Sequence, residues 1–200
     1  GKKPLIFKAL GIRWGVSICE DIWDKESFVY RREYSKKVDC LVNISASPYC
    51  RRKQEERKKL MKDLTAATKS WAIYLNLVGG QDELVFDGGS LVVDPRGSVF
   101  SEAAHFQEEL HVVEFDPRAK KAVPSKKSKG VCEEEEIYSA LKLGVHDYVT
   151  KNGFKGTVIG LSGGIDSALV AALAVDALGA KSVTGVTMPS PYTSAETYAD

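Results

Sequence analysis

The chain lacks most of what would commit it to a membrane, a metal or an oxidising compartment. No apolar run reaches the roughly 20 residues that span a bilayer, so no membrane partner is expected. The four cysteines, Cys19, Cys40, Cys50 and Cys132, form neither a CxxC pair nor a zinc spacing. His105, His111 and His146 are scattered and not paired with them. Reduced thiols and a cytoplasmic compartment are the expectation. Charge of one sign is also lacking. Twenty-eight basic and 27 acidic side chains leave a net +1, which gives no global field for nucleic acid. The opening Gly1-Lys2-Lys3-Pro4 is not a secretory leader, and the missing initiator Met is expected of a cut N-terminus. What remains is ordinary for a globular protein: 44% hydrophobic and 28% charged over 200 residues, enough for one large domain or two small ones.

Hydrophobic patterning divides the chain. Ile12, Trp14, Val16 and Ile18 alternate as a strand that ends at Cys19. Residues 24–34 are expected to be helical, 38–45 a buried strand, 51–70 a long basic helix with Leu60, Met61 and Leu64 inward, and 71–78 a third strand. Residues 88–94 and 97–101 flank the turn signal Pro95-Arg96-Gly97 as a hairpin, and 110–115 is a further strand. This organisation predicts a first domain over 1–116 and a Pro/Ser/Lys-rich linker over 117–132. A second domain follows over 133–200. It opens on a helix with an acidic first turn, Glu133 to Glu136, and an apolar face of Ile137, Leu141, Val145, Tyr148 and Val149. Thr157 to Leu161 is then a strand, Ala168 to Leu178 a helix closed by Gly179, and Val183 to Met188 a second strand, the pattern of a parallel βαβ unit.

Gly160-Leu161-Ser162-Gly163-Gly164-Ile165-Asp166-Ser167 lies between that strand and helix. Its glycines let backbone N–H groups approach an anion, its serines add hydroxyl donors, and the helix turns its positive end to the same place. Asp166 supplies a carboxylate able to hold Mg²⁺ against phosphate oxygens. It is not a Walker A loop, because the Gly-Lys-Ser/Thr ending is missing. The loop resembles the pyrophosphate-binding motif of the ATP pyrophosphatase group. That resemblance implies that Gly160 to Ser167 cradle the pyrophosphate of ATP and that Asp166 is a Mg²⁺ ligand.

The second constellation is Gly15-Val16-Ser17-Ile18-Cys19-Glu20-Asp21-Ile22-Trp23, a strand delivering a thiol to a sharp turn before a helix, where thiolate is favoured. Such a Cys can attack an amide carbonyl and hold the acyl group. The segment resembles the nucleophile region of the nitrilase superfamily of amidases. Asn43 to Tyr49, Gly79 to Gly88 and Ser90 to Asp94 continue the match. Those enzymes add a Glu base and a Lys that stabilises the oxyanion. Neither is matched among the eighteen residues before Cys19, where Lys2, Lys3 and Lys8 do not fit, so the chain is expected not to hydrolyse amides alone.

Joined in one chain, the two constellations resemble the glutamine-dependent NAD synthetases, and Glu136 to Tyr148, Lys151 to Phe154 and Met188-Pro189-Ser190 agree. The fold this implies is α/β: the C-terminal part of a nitrilase-like α-β-β-α sandwich, then the start of a Rossmann-like parallel βαβ domain of the adenine nucleotide alpha hydrolase type, both domains being incomplete. The implied activity is ATP-dependent amidation of deamido-NAD to NAD with ammonia from glutamine, passed through a tunnel. Cys19 is then the nucleophile, Glu20, Ser47 and Lys53 bind glutamine, and Met188 joins the loop in binding ATP. The full-length enzyme is expected to be a homo-oligomer. Two alternatives stay open: another ATP pyrophosphatase-type amidotransferase with the same loop, or a non-catalytic nucleotide-binding fragment.

Overall fold

In the computed structural model, residues 5–30, 37–117 and 132–188 are described. They group into two compact units, 1–78 with 86–130 and 79–85 with 131–200.

The first unit is built on a sheet of six strands. β1 (Leu5–Ala9) and β2 (Ile12–Ile18) pair antiparallel, and β2, β3 (Cys40–Ser45) and β4 (Trp71–Asn76) run parallel. The helix α1 (Lys53–Thr68) makes the crossover between β3 and β4. After β5 (Val78–Gln81) and β6 (Leu84–Asp87), the strands β7 (Leu91–Val93) and β8 (Val99–Glu102) close the sheet in the order β1-β2-β3-β4-β7-β8. The β7–β8 turn is set by Asp94, whose Oδ1 accepts from Arg96 N at 2.8 Å and from Ser98 N at 2.9 Å. Gly97 completes it at φ +84°, a conformation that costs a Cβ-bearing residue.

Strand period decides what each face buries. One face points Leu41, Ala72, Tyr74, Leu91 and Val93 at Met61 and Leu64 of α1. The buried residues of α1 are Arg57, Met61, Leu64, Thr65 and Thr68, a stripe at helical spacing. The opposite face stacks Cys40, Trp71, Val92 and Phe100 with Trp14 and Phe115. Trp71 meets Phe100 edge-on at 5.3 Å and Phe115 at 4.7 Å between ring centroids.

The second unit starts from α2 (Glu133–Lys151), whose first turn carries the four glutamates. β9 (Thr157–Leu161) and β10 (Val183–Thr187) pair in parallel, Thr157 opposite Val183, with α3 (Ile165–Leu178) as the crossover. Gly179 ends α3 with its N–H on the Val175 carbonyl at 2.8 Å, as expected of a C-cap. The tip of the β5–β6 hairpin also packs here. Gly80 N donates to Asp147 Oδ2 at 2.7 Å, and Lys151 Nζ donates to Gly80 O at 2.8 Å. A Cβ on Gly80 would sit 3.1 Å from Asp147 Cβ and 3.3 Å from Gly144 Cα, so a side chain there would fit only if α2 gave way by a few tenths of an ångström.

Several expectations are corrected. The helix over 24–34 is a single 3₁₀ turn, Phe28–Tyr30, with 31–36 outside the described residues. The strand over 110–115 is an unpaired extended segment. Val113 and Phe115 turn inward while Leu110 and Val112 stay exposed, so the alternation is real but no described strand lies beside it. The apolar face assigned to α2 is only partly formed: Ile137, Val145 and Val149 are partly buried, Leu141 and Tyr148 are about half exposed, and Ala140 and Asp147 are the buried residues. The helix α3 begins at Ile165, three residues early, because Gly164 takes the N-cap. The strand after Trp71 breaks at Leu77, and β1 and the β5–β6 hairpin were not foreseen. The linker residues 118–131, with Pro189 and Ser190, lie outside the described residues.

Leu64 is fully buried between α1 and the sheet. Leu64→Ala is expected to destabilise the first unit by about 3 kcal/mol, seen as a lower midpoint in chemical unfolding.

Candidate active site and nucleotide loop

The parallel pairing of β2, β3 and β4 sets Ile18, Ile44 and Leu75 side by side. The strand ends therefore open onto one place, an open cleft of about 670 Å³ lined by Ile18, Cys19, Ser45, Ala46, Asn76 and Glu108 among others. Ligands collect beyond the carboxyl ends of parallel strands, and this cleft is mostly apolar with a few polar groups, as ligand sites are. Ile18, Ile44 and Leu75 are all at least 49% exposed within it.

Cys19 sits at the elbow where β2 ends, with φ +41°. A non-glycine residue in that region costs of the order of 1–3 kcal/mol and is kept only when its surroundings enforce it. They do. Ile18 N donates to Asp21 Oδ2 at 2.8 Å, and Trp23 N donates to Glu20 O at 2.9 Å. Beneath the elbow Asn43 Nδ2 donates to Ser17 Oγ at 3.0 Å and to Cys19 O at 3.4 Å, and Ser45 Oγ donates to Asn43 Oδ1. The helix expected after Cys19 is only a 3₁₀ turn, Cys19–Ile22.

The structure brings Cys19 together with Ser45, Ala46 and Asn76, and places the expected glutamine-binding residues less directly. Glu20 is exposed next to Cys19 but does not line the cleft. Lys53 Nζ bonds Glu56 at 2.9 Å and lies 4.3 Å from the centre of the Trp23 ring, a cation–π distance. Ser47 is buried. Its N–H donates to Asn76 Oδ1 at 2.9 Å, and its carbonyl accepts from Arg57 at 2.9 Å.

Behind this wall lies a buried polar network that sequence patterning did not single out. Arg57 Nη1 bonds both oxygens of Asp87, at 2.7 and 2.9 Å, with neither side chain more than 1% exposed. His105 stands between Asp87 at 3.6 Å and Glu102 at 3.3 Å. Lys58 and Gln54 also bond Glu102, at 2.8 and 3.0 Å. Burial alone would favour a neutral imidazole, but Asp87 and Glu102 outweigh it and push His105 up to about 9. Burial likewise raises the Glu102 carboxyl, and His105, Lys58 and Gln54 more than reverse that, holding it at about 2. One signal for the network was in the sequence: Arg57 precedes Met61 by four residues and so falls on the core stripe of α1, where a charge needs a buried partner.

In the second unit, Ser162, Gly163 and Gly164 link β9 to α3, with Gly163 at φ +78°. Asp166 and Ser167 fall in the first turn of α3. Ser162 Oγ and Ser167 Oγ lie 3.2 Å apart, and Ser162 N and Gly164 N point to these hydroxyls at 3.3 and 3.4 Å. The loop is thus a ring of exposed donors at a helix start. Parallel pairing also puts Met188 against it, its Cε 3.5 Å from where a Gly160 Cβ would be. No group of three or more metal-binding side chains occurs among the described residues. A single Asp in the first turn after such a loop suits Mg²⁺, which keeps several waters and binds through one or two carboxylates plus substrate phosphates.

The carbon-nitrogen hydrolase family model matches residues 1–124, and the NAD synthase model matches residues 137–200. The chain belongs to the carbon-nitrogen hydrolase family. Its fold is nitrilase-like, followed by the start of an NAD synthase domain, in agreement with the sequence expectation. The chain is similar to the glutamine-dependent NAD(+) synthetases of Aquifex aeolicus, 40% identical over all of this chain, and of Acinetobacter baylyi, 41% identical over 97% of it. It spans only 41% and 36% of the length of those relatives. Among solved structures, the glutamine-dependent NAD+ synthetase from Acinetobacter baumannii in complex with ADP superposes with a TM-score of 0.92 at 40% identity. The match covers all of this chain and 38% of that one. The Cytophaga hutchinsonii synthetase, at 20% identity and a TM-score of 0.73 over 98% of this chain and 37% of its own, bears on the fold alone. No helix among the described residues is long and apolar enough to cross a membrane.

The His105 cluster predicts a pH dependence. The folded-state value is raised from 6.5 to about 9, so its contribution to stability is complete below pH 6.5 and is lost as pH rises through 9. The melting midpoint should fall across that window, and His105→Gln should flatten the fall. On the acid side, Glu102 gives stability that is complete above 4.5 and lost on descent toward about 2.

Proposed function

We propose that this chain is part of an enzyme that makes NAD from deamido-NAD, with glutamine as the nitrogen source and ATP as the activating substrate. The observation that carries this reading is a pairing within one chain. A left-handed Cys elbow opens on a cleft at the ends of parallel strands, and a Ser-Gly-Gly-Ile-Asp-Ser loop starts a βαβ unit. Similarity to glutamine-dependent NAD(+) synthetases across the whole chain supports it. The boundaries proposed for the two domains are 1–116 and 133–200, joined by the linker 117–132.

At the first site Cys19 Sγ attacks the side-chain amide carbon of glutamine. A C–S bond forms, the C–N bond breaks, and the nitrogen leaves as ammonia. Water then cleaves the γ-glutamyl thioester to glutamate and regenerates the thiol. Glu20, Ser47 and Lys53 are the proposed glutamine contacts, with the Lys53 ammonium suited to the substrate carboxylate. At the second site an oxygen of the nicotinate carboxylate attacks the α-phosphorus of ATP and pyrophosphate leaves. Ammonia then displaces AMP to give the amide. Gly160 to Ser167 hold the departing pyrophosphate through backbone and hydroxyl donors, where its charge develops. Met188 packs by the nucleotide. Bound beside Asp166, Mg²⁺ would neutralise phosphate charge.

Both activities belong to a protein of the relatives' length, since no Glu base or oxyanion Lys is matched within this segment. In that protein Asp166→Asn should lower ATP-dependent NAD formation by about a hundredfold or more, while the Cys19 thioester still accumulates with glutamine. Cys19→Ala should do the reverse, abolishing glutamine-dependent synthesis and keeping synthesis from added ammonia. Loss of both reactions in each variant, measured as NAD formed and thioester trapped, would sink the two-site reading.

A further inference from the structure

Position 57 lies on the stripe of α1 that faces the core, one turn before Met61, yet it is an arginine with no exposed surface. Burying a guanidinium is costly, and a buried ion pair is often no more stabilising than apolar side chains of equal volume. Packing therefore does not explain Arg57, and its bonds suggest what does. One nitrogen, Nη1, is spent on Asp87. The other, Nη2, donates to Ser47 O at 2.9 Å, to Ser47 Oγ at 3.2 Å and to Pro48 O at 3.2 Å. Asn76 holds the same residue from the other side, accepting from Ser47 N at 2.9 Å and donating to Ser47 O at 3.3 Å. The amide, carbonyl and hydroxyl oxygen of Ser47 are thus all held, and the two residues before it, Ser45 and Ala46, form the cleft wall beside Cys19. With its oxygen accepting from Arg57, the Ser47 hydroxyl keeps its own proton to donate.

We propose that Arg57 is a positioning residue of the glutamine site, clamping the Ser45–Pro48 segment so that the cleft wall and the Ser47 hydroxyl are preset for the substrate. The proposal rests on the reading above in which Ser47 contacts glutamine. Only an arginine fills the role, because its planar fork spans Asp87 on one side and the loop carbonyls on the other. Asp87 is held in turn by His105, so the cluster is a scaffold whose output is the shape of one loop. Preorganising a loop in this way lowers the ordering cost of binding. The clamp therefore acts on KM more than on kcat.

The test uses the protein at its relatives' length and measures ammonia release from glutamine. Arg57→Lys keeps the charge and loses the fork. It should raise KM for glutamine by about tenfold or more with kcat within about threefold. Ser47→Ala, which leaves Asp87 paired, should do the same and keeps the test open if Arg57→Lys does not fold. The double variant should be no worse than the worse single one, because both changes break one unit. Leu64→Ala, buried on the same helix, should lower the melting midpoint and leave KM unmoved. Unchanged KM in Arg57→Lys, or an equal rise in Leu64→Ala, overturns the clamp, and unchanged KM in Ser47→Ala overturns the glutamine contact on which the clamp rests. If the unsubstituted enzyme releases no ammonia from glutamine, the functional reading fails. The clamp is then decided by hydrogen exchange at residues 46–49. Faster exchange in Arg57→Lys than in Leu64→Ala supports it, and equal exchange overturns it.

Discussion

The first unit depends on the parallel register of β2, β3 and β4. Ile18 beside Ile44 beside Leu75 brings three strand ends level, so the loops that follow share one edge of the sheet. A slip of one residue would exchange the faces of a strand, sending Asn43 toward Trp71 and Cys40 toward α1. The crossover helix α1 locks the register by burying Met61 and Leu64 on Leu41, Ala72 and Tyr74. Cys19, Ser45 and Asn76, separated by up to 57 positions, meet because of that pairing.

On this frame the unit accumulates buried polar groups, which need partners. Ser17, Asn43 and Ser45 form one chain below the Cys19 elbow. Arg57, Asp87, His105 and Glu102 form another behind the loop that carries Ser47. The first is closed on itself, the second leaves Arg57 Nε buried without a partner, and both end on backbone that borders the cleft. A fixed environment lets the strained Cys19 conformation persist, because the cost of one residue is spread over many bonds.

The second unit works differently. Its Ser-Gly-Gly loop is exposed, and its two serines bond one another and the loop's own amides. Those groups face water, so their bonds to one another add little to the stability of the loop. The close contact of Gly80 with Gly144 and Asp147 shows the opposite device: small residues chosen so that backbone and carboxylate can meet. The acidic partner is held ionised. Burial raises the Asp147 carboxyl, but Lys151 and His146 lower it below the usual range.

The sequence by itself determined the elements whose signals are local. Alternation marked β2, buried runs marked β3 and β4, Asp94 to Gly97 marked the β7–β8 turn, and the glycines and serines after β9 marked the loop that opens α3. It also carried the resemblance that joined Cys19 to that loop. Tertiary structure decided whatever depends on a neighbour. Residues 110–115 alternate like a strand, but no described strand pairs with them, so they stay extended and unladdered. On α2, Gly144 and Asp147 meet the β5–β6 hairpin at Val85 and Gly80, a contact that needs small or hydrogen-bonding residues, while Leu141 stays exposed. Arg57 reads along the chain as one more cation on a basic helix. Only the arrival of Asp87 and Ser47 from elsewhere makes it a buried clamp, since a charge's role is set by the partners that desolvate it.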